Sequence, residues 1–565
     1  MLFKKLGFAL LLVSWFSFMT VANAQQPSPY TEIPIAPQFD LAPHQAPESR
    51  AQLNQVKQNI NQARAQIALI MRGESQLNTS FTLGEGTPGA VQMTNEGLLK
   101  GWYENNILAQ FTHAKSMGDL SAQRLTFVNE LSTRCQNDAI YQHIVNNVVL
   151  PQMQTFITGN FHPAVKYNAM LIVGQMNQRS NYNPDQTRRV PVPSTTALSF
   201  LVQNVQGGAA NDAILLASWV GVLRHVRMNR LTNHIPGNNQ VVIATQALSL
   251  LNQEAVAAGR TPSGQTWLQR RALEVLSAIG RDNGQILPAI VAIVKDDDAP
   301  ISLRLSAAKA LHYFYYDAQT KVALEDTSNA LGLLAIKICR NELARVEAEK
   351  EAEAAQAAGG VTDFGGGMGG MDGGMGGAMG GMDGGMGGAM GGMDGGMGGM
   401  DGGMGGMDGG MGGMMGGMGG DVFGGGASVL SKEEKRRVDY SRRILAYQLY
   451  HVVLAIGKEG RQAGPNRIPS TGMVLAAVQD NAGQPALTKL QESMDALVAT
   501  IRMPSNDSAV SPDEPVAEPD RETMLADLED EVRKFESFLL PTAGPVDTAA
   551  PAANPGEPAP VVPGS

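Results

Sequence analysis

The chain has 565 residues, and its 53 acidic and 43 basic side chains give a formal net charge of −10. That balance argues against nucleic acid or an anionic membrane as the main partner, since both call for an excess of Lys and Arg. Only two cysteines occur, Cys135 and Cys339. In an oxidising compartment they could bridge, but both sit in apolar helical patterns that suit buried free thiols equally well.

Residues 1–24 read as a secretory signal. Lys4 and Lys5 open it, Leu6 to Val21 form an apolar core, and Ala22-Asn23-Ala24 supplies a small-residue cleavage pattern. The core falls short of the ~20 apolar residues of a spanning helix, and Ser14, Ser17 and Thr20 interrupt it. Cleavage after Ala24 is expected, which makes the protein exported (periplasmic or secreted), with no integral membrane span once the signal is removed.

Residues 25–48 form a Pro/Gln-rich lead, and 49–135 an N-terminal helical region. Its first element spans 49–71, where Leu53, Val56, Ile60, Ala63, Ile67 and Ile70 recur at three- and four-residue intervals. This is the stripe of a coiled-coil seam, but it lasts under three heptads, so a helix packed on its own domain is the better reading. Residues 74–97 are rich in Gly, Thr, Asn and Ser and read as a long loop. From Leu98 onward helical periodicity dominates and strand-type alternation is scarce, so the fold class is all-α.

Within 136–358 the apolar stretches form an approximate repeat. Ala169, Ala217, Ala272 and Ala307 mark its register, each within a similar apolar pattern. The clearest unit is 298–311, with Asp298, Pro300, Leu303, Arg304, Ala307, Ala310 and Leu311. At the position of Arg304, three residues before the marker, the other units carry Lys166, Ile214 and Gln269. These stretches, over about 150–315, resemble repeats of the HEAT (armadillo-like) family. The resemblance implies an α-α superhelix, a HEAT-like solenoid of paired helices. It also implies that Pro300 opens a helix, Asp298 caps the turn and Arg304 bonds acceptors in a neighbouring unit. By analogy the resemblance implies a binding surface, and it carries over no catalytic residue. The region ends in a charged stalk, 347–355, expected to project into solvent.

Residues 359–430 are Gly/Met-rich and expected to be disordered. Between Gly365 and Gly420 lie 33 Gly, 16 Met, 5 Asp and 2 Ala, with one eleven-residue unit at 369–379 repeated unchanged at 380–390. So much Gly loses too much backbone entropy on folding, and thioethers on flexible stems cannot specify one packed arrangement. The tract reads first as a linker, then as an adaptable sticky surface, and then as a soft-metal site, because thioethers favour Cu(I). In composition only, it resembles the C-terminal tails of bacterial chaperonins. Further helices are expected over 431–503, opened by a capping box of Ser431 and Glu434. An acidic linker, 504–520, leads to an amphipathic helix over 521–540, and 541–565 is a Pro/Ala-rich disordered tail.

No phosphate loop, metalloprotease helix, nucleophile elbow or Cys-x-x-Cys pair occurs. The eight histidines are scattered. No catalytic, cofactor-binding or metal-ligating residues are assigned and no cofactor is expected. Arg224, Arg227 and Arg230 belong to the densest basic stretch. They mark either solvated surface or a patch for an acidic peptide or polysaccharide. The functional expectation is an exported scaffold or adaptor whose partner is protein rather than nucleic acid. A copper-handling protein using the Met-rich tract is the alternative, and an enzyme without a recognisable motif is a more remote one.

Overall fold

Apolar residues that recur every three or four positions can be buried only by turning the chain into helices. The computed structural model bears this out: the fold is all-α, with almost no strand among the described residues and helix packed against helix. It describes residues 29–41, 50–86, 90–182, 189–207, 211–253, 256–257, 259–316, 320, 322–359, 432–457, 471–479, 483–501 and 521–539. The signal, the Gly/Met tract, the Ser431–Glu434 capping pair, the 504–520 linker and the 541–565 tail lie outside what is described. The chain divides into two compact units, one of residues 1–340, 439–502 and 523–565, the other of 341–438 and 503–522.

In the larger unit, α1 (Arg50–Arg72) buries Val56, Ala63, Ile67 and Ile70. It packs on α2 (Asn95–Trp102), on α4 (Leu120–Arg134) and on α5 (Asp138–Ile144), so its stripe belongs to its own domain. Between α2 and α4 lies a single short turn of helix, α3 (Leu108–Gln110). Residues 74–97 are not simply a loop. They hold a two-stranded antiparallel hairpin, β1 (Ser80–Leu83) with β2 (Val91–Thr94), followed by the start of α2. Leu83 is the only residue of either strand that is buried, so the strands carry no alternation to read. The hairpin base is instead anchored through polar groups: the fully buried Asn95 amide donates to Ser75 Oγ and to the Gln76 carbonyl.

Four helical hairpins follow. They pair α6 (Leu150–Thr158) with α7 (Pro163–Gln175), α8 (Thr195–Gln206) with α9 (Asp212–Thr232), α10 (Gly237–Leu251) with α11 (Pro262–Ile279), and α12 (Ile286–Lys295) with α13 (Ile301–Leu311). The second helices also pack on one another in series, α7 on α9, α9 on α11 and α11 on α13. Ala169, Ala217, Ala272 and Ala307 fall one to each second helix and are at most 1% exposed. Where α7 meets α9, even a methyl group is too large: a Cβ on Gly174 would stand 2.7 Å from the Gly221 Cα.

The position three residues before each alanine has a recurring task. Arg304, 2% exposed, donates from Nε to the Val294 carbonyl at 3.0 Å and from Nη1 to Asp297 at 2.7 Å. Gln269 donates from Nε2 to the Leu251 carbonyl at 3.2 Å. Both bonds reach the last turn of the first helix in the same hairpin, where carbonyls lack helical partners. Arg304 thus bonds within its own hairpin rather than to a neighbouring unit. The helix-opening turn is shaped by Asp296, whose side chain accepts from the Asp298 amide, and not by Asp298 as a cap.

Five further helices complete the described chain, the larger unit holding their residues 324–340, 439–456, 473–479, 484–501 and 523–539. These are α14 (Leu324–Gly359), α15 (Lys432–Ile456), α16 (Met473–Gln479), α17 (Gln484–Ile501) and α18 (Arg521–Leu539). His312 donates to the Leu454 carbonyl at 2.9 Å, and Arg340 makes a bidentate pair with Glu536 at 2.7 and 3.0 Å. A Cβ on Gly332 would meet Leu539 at 2.6 Å, and one on Gly483 would meet Leu324 at 2.2 Å. In the smaller unit the charged run does not simply project into solvent. Glu349 lies 2.8 Å from Arg521, 3.4 Å from Arg345 and 3.9 Å from Arg437, while Glu353 takes Arg437 at 2.5 Å. Cys135 and Cys339 are both buried free thiols, each pushed up to about 12 by burial.

Gly221→Ala should destabilise the protein by about 1–3 kcal/mol, because the added methyl meets backbone across the α7–α9 contact; chemical denaturation measures it. His225 on α9 is 0% exposed, and neither ring nitrogen has a partner among the described residues. Burial first, then Arg224, lowers its pKa to about 3 from 6.5. The folded state therefore holds the neutral ring while the unfolded chain takes a proton. The stability that this ring contributes is complete above pH 6.5 and is lost as pH falls toward 3, by roughly 1.4 kcal/mol per pH unit. His225→Leu should flatten that acid limb in denaturation curves collected across pH.

Candidate functional site: a basic face on the second helices

The hairpins separate charge by layer. First helices α6, α8 and α10 carry no Asp, Glu, Lys or Arg, and α12 has Lys295 alone. Second helices α7, α9, α11 and α13 together carry eight Lys or Arg against Asp212 and Glu274. In a chain with net charge −10 this is a strong local inversion.

The predicted trio divides along it. Arg224 turns inward and ties α9 to the end of α7, donating to the Gly174 carbonyl at 3.2 Å and to Asn177 Oδ1 at 2.7 Å. Burial lowers its pKa to about 10, which still leaves it charged at neutral pH. Arg227 and Arg230 are exposed. Arg227 approaches Glu274 of α11 at 3.9 Å. Arg230 lies over the Tyr315 ring, 4.9 Å from its centroid, and donates to the Tyr313 carbonyl at 3.3 Å. Arg224 is thus a structural tie, and the other two belong to a surface.

Sequence reading missed the rest of that surface, because its members lie on different helices. Arg271 lies 4.3 Å from the Trp267 ring centroid and pairs with Glu274 at 2.6 Å. Arg270 donates to Ser306 Oγ of α13 at 3.1 Å, which shows that these helix faces adjoin. Neither Arg270 nor Lys309 has an acidic partner among the described residues. One carboxylate, Glu274, thus serves two arginines and leaves the face with excess positive charge. The one usable signal in the sequence was the distribution of charge between alternate helices, which requires the hairpin boundaries to be known first.

Aromatic side chains border the same face. Tyr313 and Tyr315 follow α13, and Tyr447 and Tyr450 lie on α15, all between 38% and 64% exposed. Exposed tyrosines beside arginines suit peptide recognition, since their rings offer rigid apolar area with a polar tip. Arg64 and Trp102 form a separate cluster. Among the described residues no group of three or more His, Cys, Asp or Glu is placed to hold a metal ion, and no helix is long and apolar enough to cross a membrane.

No protein-family model matches the chain, and no curated protein or solved structure matches it either.

His451 on α15 reports on the potential of this face. Its pKa is lowered first by burial and further by Lys309 and Arg270, against an opposing bond to the Tyr447 carbonyl. Replacing Lys309 and Arg270 together by Gln should raise the His451 pKa without restoring it fully, as followed by the imidazole proton shifts in an NMR titration.

Proposed function

We propose that the protein is an exported, non-enzymatic adaptor of the HEAT-repeat kind whose second helices bind an acidic polypeptide segment. The observation that supports this most directly is the segregation of charge: eight basic and two acidic residues on the second helices against one charge on the first. Arg224 and Arg304 among them bond inward, but folding alone does not require the other six, since a solvated helix face is served as well by mixed charge. An acidic peptide would meet Arg227, Arg230, Arg270, Arg271 and Lys309, with Tyr315 and Trp267 offering ring faces between them. The export signal supports a location outside the cytoplasm. The repeat reading rests on the four alanine-marked hairpins and on the shared task of Gln269 and Arg304.

Binding of this kind weakens with salt and depends on exposed cations rather than on the Gly/Met tract. A fluorescein-labelled Glu/Asp-rich peptide, followed by anisotropy against the mature chain, should bind and release as salt rises. The double variant Arg227→Glu, Arg230→Glu should weaken it by about tenfold or more, while deletion of 365–420 leaves it unchanged. Equal affinity for a neutral peptide of the same length, or for the double variant, would sink the proposal. Tighter binding of a sulfated polysaccharide than of the peptide would overturn the choice of partner.

A further inference from the structure

A second site stands apart from the basic face, in the N-terminal part of the larger unit. The C-terminal half of α1, the end of α2 and the end of α4 enclose a cleft of about 580 Å3. Ligand pockets commonly measure ~300–1,000 Å3. Its floor is apolar and fixed. Ile67, Met71 and Trp102 are each at most 4% exposed, and Trp102 is braced edge-to-face by Phe39 at 5.3 Å. The Met71 carbonyl accepts from the Gln136 and Asn137 amides at 2.9 and 3.2 Å, which holds the end of α1 against the chain leaving α4.

The rim is cationic, but its arginines are not equivalent. Arg72 is held bidentately by Glu74 at 2.6 and 2.9 Å, and Arg134 is paired with Glu130 at 3.3 Å. Both stand in the last turn of their helices, where a cation offsets the helix dipole, so each has a structural reason to be present. Arg64 has neither reason. It lies mid-helix and has no ion pair or hydrogen bond among the described residues. Its guanidinium lies over the Trp102 ring, 5.8 Å from the centroid. Two of the three guanidinium groups are therefore matched by carboxylates and one is not, over the Ile67, Met71 and Trp102 side chains.

We propose that this cleft binds small monoanionic carboxylates carried on a flat apolar body. The apolar body would lie on Trp102, Ile67 and Met71, and the carboxylate would take the fork of Arg64, with the Gln136 side-chain amide at the rim as a further donor. The Glu130 carboxylate on the wall disfavours dianions. The site is independent of the basic face, and the two proposals fail separately.

The test is isothermal titration of the mature chain with naphthoate, with neutral naphthol and with a naphthalene dicarboxylate. Naphthoate should bind once per chain, with naphthol and the dicarboxylate each weaker by about tenfold or more. Arg64→Gln should weaken naphthoate by a similar factor and leave naphthol unchanged, and Trp102→Leu should weaken both. Arg230→Glu, on the other surface, should change none of these values, and circular dichroism checks that each variant is folded. The inference is overturned if naphthol binds as tightly as naphthoate, if Arg64→Gln binds naphthoate normally, or if naphthoate shows no binding up to about 10 mM.

Discussion

The close approach of the second helices is the constraint on which the larger unit depends. A helix with Leu or Ile at the marker position would hold its neighbour away. With Ala169, Ala217, Ala272 and Ala307 there, and with Gly174 against Gly221 at the tightest crossing, backbones come near enough for flanking Leu, Val and Ile side chains to interlock. Each such side chain, once buried, contributes about 1.5–3 kcal/mol. Small residues thus stabilise indirectly, by letting larger ones meet.

Close packing also decides where charge can sit. A second helix is covered on several sides, by its own hairpin partner and by the second helices before and after it. Only a narrow face remains for solvent, and the charged side chains that do not turn inward, as Arg224 and Arg304 do, have to share it. Arg227, Arg230, Arg270, Arg271 and Lys309 are concentrated by that geometry, whereas the same residues on an isolated helix would be spread around it. The basic face and the core are two results of one packing pattern.

Much of this was legible in the sequence. The alanine register located all four second helices, and the apolar stripe of 49–71 located α1 to within a residue at either end. The hairpin at 80–94 was not legible because it is anchored by Asn95 and its partners rather than by alternating apolar residues. Gln269 shows a different limit. By residue identity it weakens the repeat, yet it makes the same bond as Arg304, because a carbonyl at the end of a helix asks only for a donor of sufficient reach. Arg224 shows the converse: beside two exposed arginines in the sequence, it turns inward, because helical phase rather than proximity in sequence decides which side chains share a face.

The return of the C-terminal helices has a consequence for what the chain's continuity is needed for. Residues up to 340 and residues 439–502 and 523–565 are joined in one unit by the His312–Leu454 bond, by the Arg340–Glu536 pair and by the packing of Gly332 and Gly483. None of these contacts involves the stretch between 360 and 431. The two sides behave as complementary halves, so a cut anywhere in that stretch should leave a nicked molecule whose pieces co-purify.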